Sequence, residues 1–458
     1  MIPEGGDPPG LTEPSPPGDA HPTTRPEAPG GSRPTAGAEA PGHPRPTPPG
    51  GVAAAFAEPV VRVGGGWTAA VVLANIGVFA AWLGPIQVLL AKQSEAVAPG
   101  NKEFVFGLVT GVGAAVSVVA NPAFGAISDR TASRLGRRVP WVLAGAVGGA
   151  IGLGILSGAR MIALMLIGWC LMQLFGNALL AAATAVIPDR VPVAQRGVVG
   201  GWVAISQVLG ALVGTALAAA FDNYTLGYVA CAAFLLLSVV PYVLRSHDQP
   251  LLERPPFVLR DFVTSFWISP RRYPDFGWAW LTRFLFNVGN ALGTLYLFYY
   301  LQDEVGITDP DTGVLILTAI YSVCVLTTAI SFGRWSDRSA RRKIFVTASG
   351  WVMAAAGVIL AFWPTWPGAI TGAIVLGAGF GVYLSVDFAL LTEVLPNARD
   401  RAKDLGVINI ANSLPQVLAP VIAAPIVKHL GGYPVLYLLA SVVTVLAGVL
   451  VTRVRSVS

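Results

Sequence analysis

Charge is what this chain has least of. Only 12% of its 458 residues are Asp, Glu, Lys or Arg, where a soluble domain carries about a quarter. Histidine is nearly absent as well: the four residues, His21, His43, His247 and His429, form no cluster along the chain. That excludes a histidine-based metal centre or acid/base site. The three cysteines, Cys170, Cys231 and Cys324, lie far apart in apolar runs, where they act as small hydrophobes rather than a disulfide framework. No nucleophile and base pair stands out, so the chain is not expected to be an enzyme, and no cofactor or metal is expected.

What is abundant is apolar surface: 54% of residues are hydrophobic and the mean hydropathy is +0.63. Such a surplus needs lipid. After residue 62 the apolar runs supply about twelve segments of roughly 20 residues, the length that crosses a bilayer. The expected spans are 67–91, 104–127, 140–158, 162–186, 197–221 and 225–244, then 276–301, 312–333, 344–363, 367–394, 405–427 and 433–452. The fold class is therefore an all-α polytopic membrane protein of twelve transmembrane helices in two six-helix bundles, 63–245 and 276–458, joined by a cytoplasmic linker over 246–275. Residues 1–50 hold fifteen Pro and nine Gly, too few large apolar side chains to offset the entropy of ordering, so 1–62 is predicted to be a disordered cytoplasmic tail. The tail lacks the apolar core of a signal peptide and is expected to stay on the chain.

Basic residues set the orientation, because Lys and Arg accumulate in cytoplasmic loops. Loops on the side of both termini carry 22 of them, and the opposite loops carry four, Lys92, Lys102, Arg160 and Lys428. Both termini are predicted to be cytoplasmic. The pI of 9.2 then reflects topology, and no nucleic-acid partner is expected. Arg outnumbers Lys 25 to 5, with abundant Ala and Gly, which suggests a GC-rich bacterial source and an inner (plasma) membrane.

The loop after the second span runs from Gly125 through Asp129, Arg130 and Arg134 to Gly136, Arg137 and Arg138. Gly333, Asp337 and Arg338 repeat its beginning after the eighth span. Gly125 and Gly333, and Asp129 and Asp337, are each 208 residues apart, and the same offset carries Ile187-Pro188 onto Leu395-Pro396. Two six-helix repeats in one orientation explain this. At these residues the chain resembles the major facilitator superfamily, whose hallmark is a Gly-x-x-x-Asp-Arg loop with trailing basic residues. The Ser133-Arg134-x-Gly136-Arg137-Arg138-x-Pro140 string is similar to the sucrose/proton symporters and the glycoside-pentoside-hexuronide cation symporters. The resemblance implies a secondary transporter working by alternating access, a functional monomer that moves a small-molecule substrate across the lipid bilayer. The implied cargo is a sugar or glycoside taken up with H+. It further implies a gate at Asp129, Arg130, Arg134, Arg137, Arg138, Asp337 and Arg338. Sodium-using relatives carry acidic residues on the second span where this chain has Ser117 and Asn121, which favours the proton. A drug- or metabolite-exporting antiporter and a non-transporting membrane sensor are the rival readings; the stretch Gly210 to Gly214 lacks the Gly-Pro step common in the antiporters.

Two charges fall deep inside the spans, Arg283 on the seventh and Asp387 on the tenth, while Glu393 lies near the cytoplasmic end of the tenth. Intramembrane charges usually face the bundle interior and mark ion or substrate paths, and helical rise places these two at similar depth. Either Asp387 binds and releases the coupling proton beside Arg283, or the two form a permanent ion pair that orients their helices. Amides recur at helical spacing: Asn75, Gln173, Asn177, Asn287, Asn290, Asn409, Asn412 and Gln416. They suit a hydroxyl-rich substrate, with Tyr296, Phe298, Tyr299 or Tyr383 as candidate stacking faces. The same side chains also join helices in membranes.

Overall fold

The computed structural model describes residues 59–246, 271–339, 342–394 and 401–455. Most of the expected tail and most of the expected linker lie outside them. Every regular element among the described residues is helical, as lipid demands: with no water to satisfy them, backbone groups must pair within their own segment.

The helices are α1 (Gly65–Val97), α2 (Lys102–Asp129), α3 (Val139–Gly158), α4 (Ile162–Arg190), α5 (Val193–Ala219) and α6 (Tyr224–Arg245) in the first half. The second half has α7 (Pro274–Leu295), α8 (Pro310–Ser339), α9 (Arg342–Phe362), α10 (Trp366–Val394), α11 (Arg401–His429) and α12 (Gly432–Leu450). Eleven of them are long and apolar enough to cross a membrane. The twelfth is α7, whose stretch holds Arg283, Asn287 and Asn290. It is broken at Tyr296 and continues as a short turn, Leu297–Tyr299, and a π-helical turn, Tyr300–Glu304. Helix α1 has a matching interruption, the π-helical turn Pro85–Leu89. Proline removes an N–H and crowds the preceding turn, which accounts for the change of winding at Pro85.

Small residues let helices within each half touch backbone to backbone. A Cβ on Gly152 of α3 would stand 2.7 Å from the carbonyl oxygen of Gly168 on α4, and one on Gly214 of α5 would stand 2.4 Å from that of Ala80 on α1. In the second half Gly350 of α9 lies against Thr444 and Gly448 of α12. The halves meet along two helix pairs, α2 on α11 and α5 on α8.

Candidate functional site

The two intramembrane charges meet. Helix α7 presents Arg283 and Asn287 one turn apart, α10 presents Asp387 and α11 presents Asn412. The Arg283 Nη1 pairs with the Asp387 Oδ2. The Arg283 Nε donates to Asn412 Oδ1 at 2.8 Å, and Asn287 Nδ2 donates to the same oxygen at 3.3 Å and to the Arg283 carbonyl at 2.9 Å. Asp387 is buried, 5% exposed, so the carboxylate exchanges water for a guanidinium. One ion pair and one shared amide oxygen therefore tie three helices. Asn290, two turns above Arg283, instead accepts from Tyr321 Oη at 3.0 Å, joining α7 to α8. Gln416 is exposed, and the side chain of Asn409 lies outside the described residues.

In the first half Asn121 Nδ2 of α2 donates to Asn177 Oδ1 of α4 at 3.2 Å, and Asn177 Nδ2 donates to the Gln173 carbonyl at 2.7 Å. Asn75 does not join them. It is fully buried and its amide turns back to the Val71 carbonyl at 2.8 Å. The four aromatic stacking candidates are buried too. Tyr296 and Tyr299 are 0% exposed, Tyr383 1% and Phe298 4%. Tyr383 stacks on Phe286 at 4.3 Å. Tyr296 and Tyr299 donate across the halves to the Glu103 and Ala91 carbonyls at 3.3 and 2.9 Å, so they close an interface instead of presenting a face to a ring.

The loop that carries the hallmark motif is a clasp within the first half. Gly136 takes φ +88°, a left-handed turn that glycine adopts without steric cost. Its N–H bonds the Ser133 carbonyl at 3.0 Å. Beyond that turn Arg137 and Arg138 are buried at 3% exposure each. Arg137 Nη2 meets Asp189 Oδ1 at 2.6 Å; Arg138 meets Asp189 Oδ2 at 2.8 Å and Asp129 Oδ1 at 2.5 Å. Burial works against the charge of Arg138, but the Asp189 and Asp129 carboxylates outweigh it and hold its pKa above the ordinary value. Arg130 donates to the Ala126 carbonyl at 3.0 Å, and Arg134 is exposed. Arg338 is exposed as well, while the side chain of Asp337 lies outside the described residues. Asp189, at the end of α4, is the clasp residue that sequence reasoning missed; the Ile187-Pro188 step beside it served there only as a marker of the repeat.

The opposite face is sealed between the halves. Lys92 pairs with Asp311, and Lys102 Nζ with Asp303 Oδ1 at 2.8 Å. Gln302 donates to Glu95 at 3.0 Å, and Lys428 bonds Asn101. Deeper in, Gln87 Oε1 accepts from Thr215 Oγ1 at 2.6 Å and from Thr318 Oγ1 at 2.9 Å. Along α2, Gly107 and Gly111 lie against Pro420, Val421 and Ala424 of α11. Among the described residues, a Cβ on Gly125 of α2, or on Gly197, Gly200 or Gly201 of α5, would meet no atom beyond its own helix backbone within 4 Å.

The profile described as Major Facilitator Superfamily matches residues 67–331 and 291–458, most of the chain. The chain belongs to the major facilitator superfamily. Solved structures agree on the fold. A transporter of the POT family, crystallised with a thioalcohol-conjugated peptide, is 12% identical with a TM-score of 0.69, over 84% of this chain and 95% of its own. A nucleoside transporter is 12% identical with a TM-score of 0.67, over 85% and 99%. A bacterial homologue of the human lysosomal transporter Spinster, in an inward-facing and unoccupied conformation, is 14% identical with a TM-score of 0.62, over 86% and 96%. At such identities these likenesses concern the fold alone. Among curated protein sequences, none matches.

Proposed function

We propose that this member of the superfamily is a secondary active transporter that works by alternating access and takes up a neutral, hydroxyl-rich solute, a sugar or glycoside, together with a proton. In this reading the basic face is the cytoplasmic one, in a bacterial inner membrane, so the face closed by the Lys92, Lys102 and Lys428 contacts is the outer one. The observation that carries the coupling is the buried Arg283–Asp387 pair, braced by Asn412 and Asn287. A carboxylate and a guanidinium withdrawn from water into the membrane are expensive, and such pairs persist where an ion path needs them. Protonation of Asp387 would release Arg283 from its partner and loosen the tie between α7, α10 and α11; loss of the proton would restore it. The uncharged Asn121–Asn177–Gln173 cluster supplies donors and acceptors suited to hydroxyls. The cargo preference also follows the resemblance of the Ser133 to Pro140 string to sugar symporters.

The test is uptake into proteoliposomes of a panel of labelled disaccharides and hexoses, sucrose among them, under an imposed inward proton gradient. Accumulation above equilibrium is expected, and Asp387→Asn should abolish it while sparing exchange of label. Undiminished uphill uptake by that variant would remove Asp387 from the coupling. A proton gradient that drives the solute outward would replace uptake with export.

A further inference from the structure

Span α1 changes its winding where it enters the seal. Between Pro85 and Leu89 the helix widens to a π-turn, closed by the Leu90 N–H on the Pro85 carbonyl. Such turns interrupt otherwise regular helices mostly at functional positions. Its central residue is Gln87. Immediately before it, Gly84 lies against Gly214 of α5, where a Cβ would stand 2.4 Å from the Gly214 carbonyl oxygen. That contact locks α1 to α5 within the first half. Thr215, the next residue on α5, donates to Gln87 Oε1 at 2.6 Å. The carboxamide oxygen is thus held in place by its own half before the other half reaches it.

The second donor comes from across the interface. Thr318 of α8 is 6% exposed and its hydroxyl reaches the same oxygen at 2.9 Å. Thr318 lies eight residues beyond the start of α8 at Pro310, about 12 Å in from the sealed face at 1.5 Å per residue. Of the other polar contacts between the halves, the Tyr296 and Tyr299 hydroxyls reach backbone carbonyls of Glu103 and Ala91, and those at Lys92, Glu95, Lys102 and Lys428 belong to the helix ends. There water can replace a lost partner at little cost. Inside the membrane a bond broken by separation leaves polar atoms unpaired until water enters.

We propose that Gln87 is a positioning residue of the transport cycle, a fixed acceptor that Thr318 docks on when the halves close at this face and leaves when they open. Thr215 orients the acceptor, and Thr318 is the moving partner. The inference rests on the alternating-access reading above and assigns no cargo contact. Loss of the Thr318 hydroxyl weakens the closed state selectively, because the bond exists only there.

Distance measurement between spin labels tests this without a cargo. Labels go on Leu226→Cys and Thr308→Cys, exposed positions near the sealed face in opposite halves, in full-length protein with Cys170, Cys231 and Cys324 replaced. Thr318→Val should raise the ratio of long to short distances about threefold, the share one interhelical hydrogen bond contributes in a membrane. Thr318→Ser, which keeps the hydroxyl, should restore the wild-type ratio. Gln87→Leu should raise it too, and adding Thr318→Val to Gln87→Leu should raise it no further. A role confined to folding would lower the melting temperature and leave the ratio unchanged, and that result overturns the latch. Two distances in the wild type whose ratio ignores Thr318→Val overturn the latch alone. One fixed distance in the wild type and in every variant overturns alternating access and the latch with it.

Discussion

Removing one member of the Arg283–Asp387 pair should cost far more than removing both. The side chains are 13% and 6% exposed, so each ion has surrendered most of its water. Asp387→Leu leaves the guanidinium in the interior with Asn412 Oδ1, 2.8 Å from its Nε, as its acceptor on α11. Stranding a buried charge in this way costs about 3–5 kcal/mol. Arg283→Met strands the carboxylate and should destabilise in the same direction. The double replacement strands neither. Exchanging a buried pair for apolar side chains of similar volume is often neutral, so the double variant should stand within about 1–2 kcal/mol of the parent, with a coupling energy of several kcal/mol. Unfolding in mixed micelles, titrated with a denaturing detergent and followed by tryptophan fluorescence, gives the four free energies of the cycle. Simple additivity of the single losses would refute the reasoning, because it would mean the two groups do not share their charge balance. The same variants separate the two roles of the pair. If it only orients helices, the stable double variant should still accumulate solute against a gradient; if it carries the proton, it should not.

Three further outcomes follow from the geometry. Gly136→Ala places an L-residue at φ +88°, a conformation that costs about 1–2 kcal/mol, and should both lower stability and loosen the Arg137 and Arg138 clasp; Gly136→Asn should lose less, and equal losses for Ala and Asn would contradict the conformational cause. Gly214→Ala forces a methyl group to 2.4 Å from the Ala80 carbonyl oxygen, an overpacking that should cost about 1–3 kcal/mol, read as a drop in melting temperature, and no drop would mean α1 and α5 are less tightly held. Reporter fusions after Arg134 and after Arg338 should both report the cytoplasm, whereas opposite compartments for the two loops would break the parallel repeat.

The helices were legible because lipid leaves one solution for an apolar run of about 20 residues, and the loops because charge cannot hide there. The expected second span, 104–127, differs from α2 (Lys102–Asp129) by two residues at each end, and Asp129 closes the helix, at the cytoplasmic helix end where it was expected. The Arg283 and Asp387 depths followed from helical rise alone. The seal was harder to see. Tyr296 and Tyr299 are amphipathic enough to stack on a ring or to close an interface, and composition does not say which; their hydroxyls on the Glu103 and Ala91 carbonyls do. Gln87 and Thr318 sit singly in apolar runs with no partner nearby in sequence, since their partners are on other helices, in Thr318's case on the other half. Their signal was local: a Gly-Pro step two residues before Gln87, and Gly214 directly before Thr215.

Paired distances at both faces of one preparation test the central claim most directly. With labels on Leu226→Cys and Thr308→Cys at the sealed face and on Leu135→Cys and Ile344→Cys at the basic face, all exposed positions, protein in lipid nanodiscs should give a short distance at the first pair with a long one at the second. Lys92→Ala with Thr318→Val should then exchange the two in proportion. Both faces opening together, or one changing while the other stays fixed, would contradict a pair of rigid halves that expose a central cavity to one side at a time.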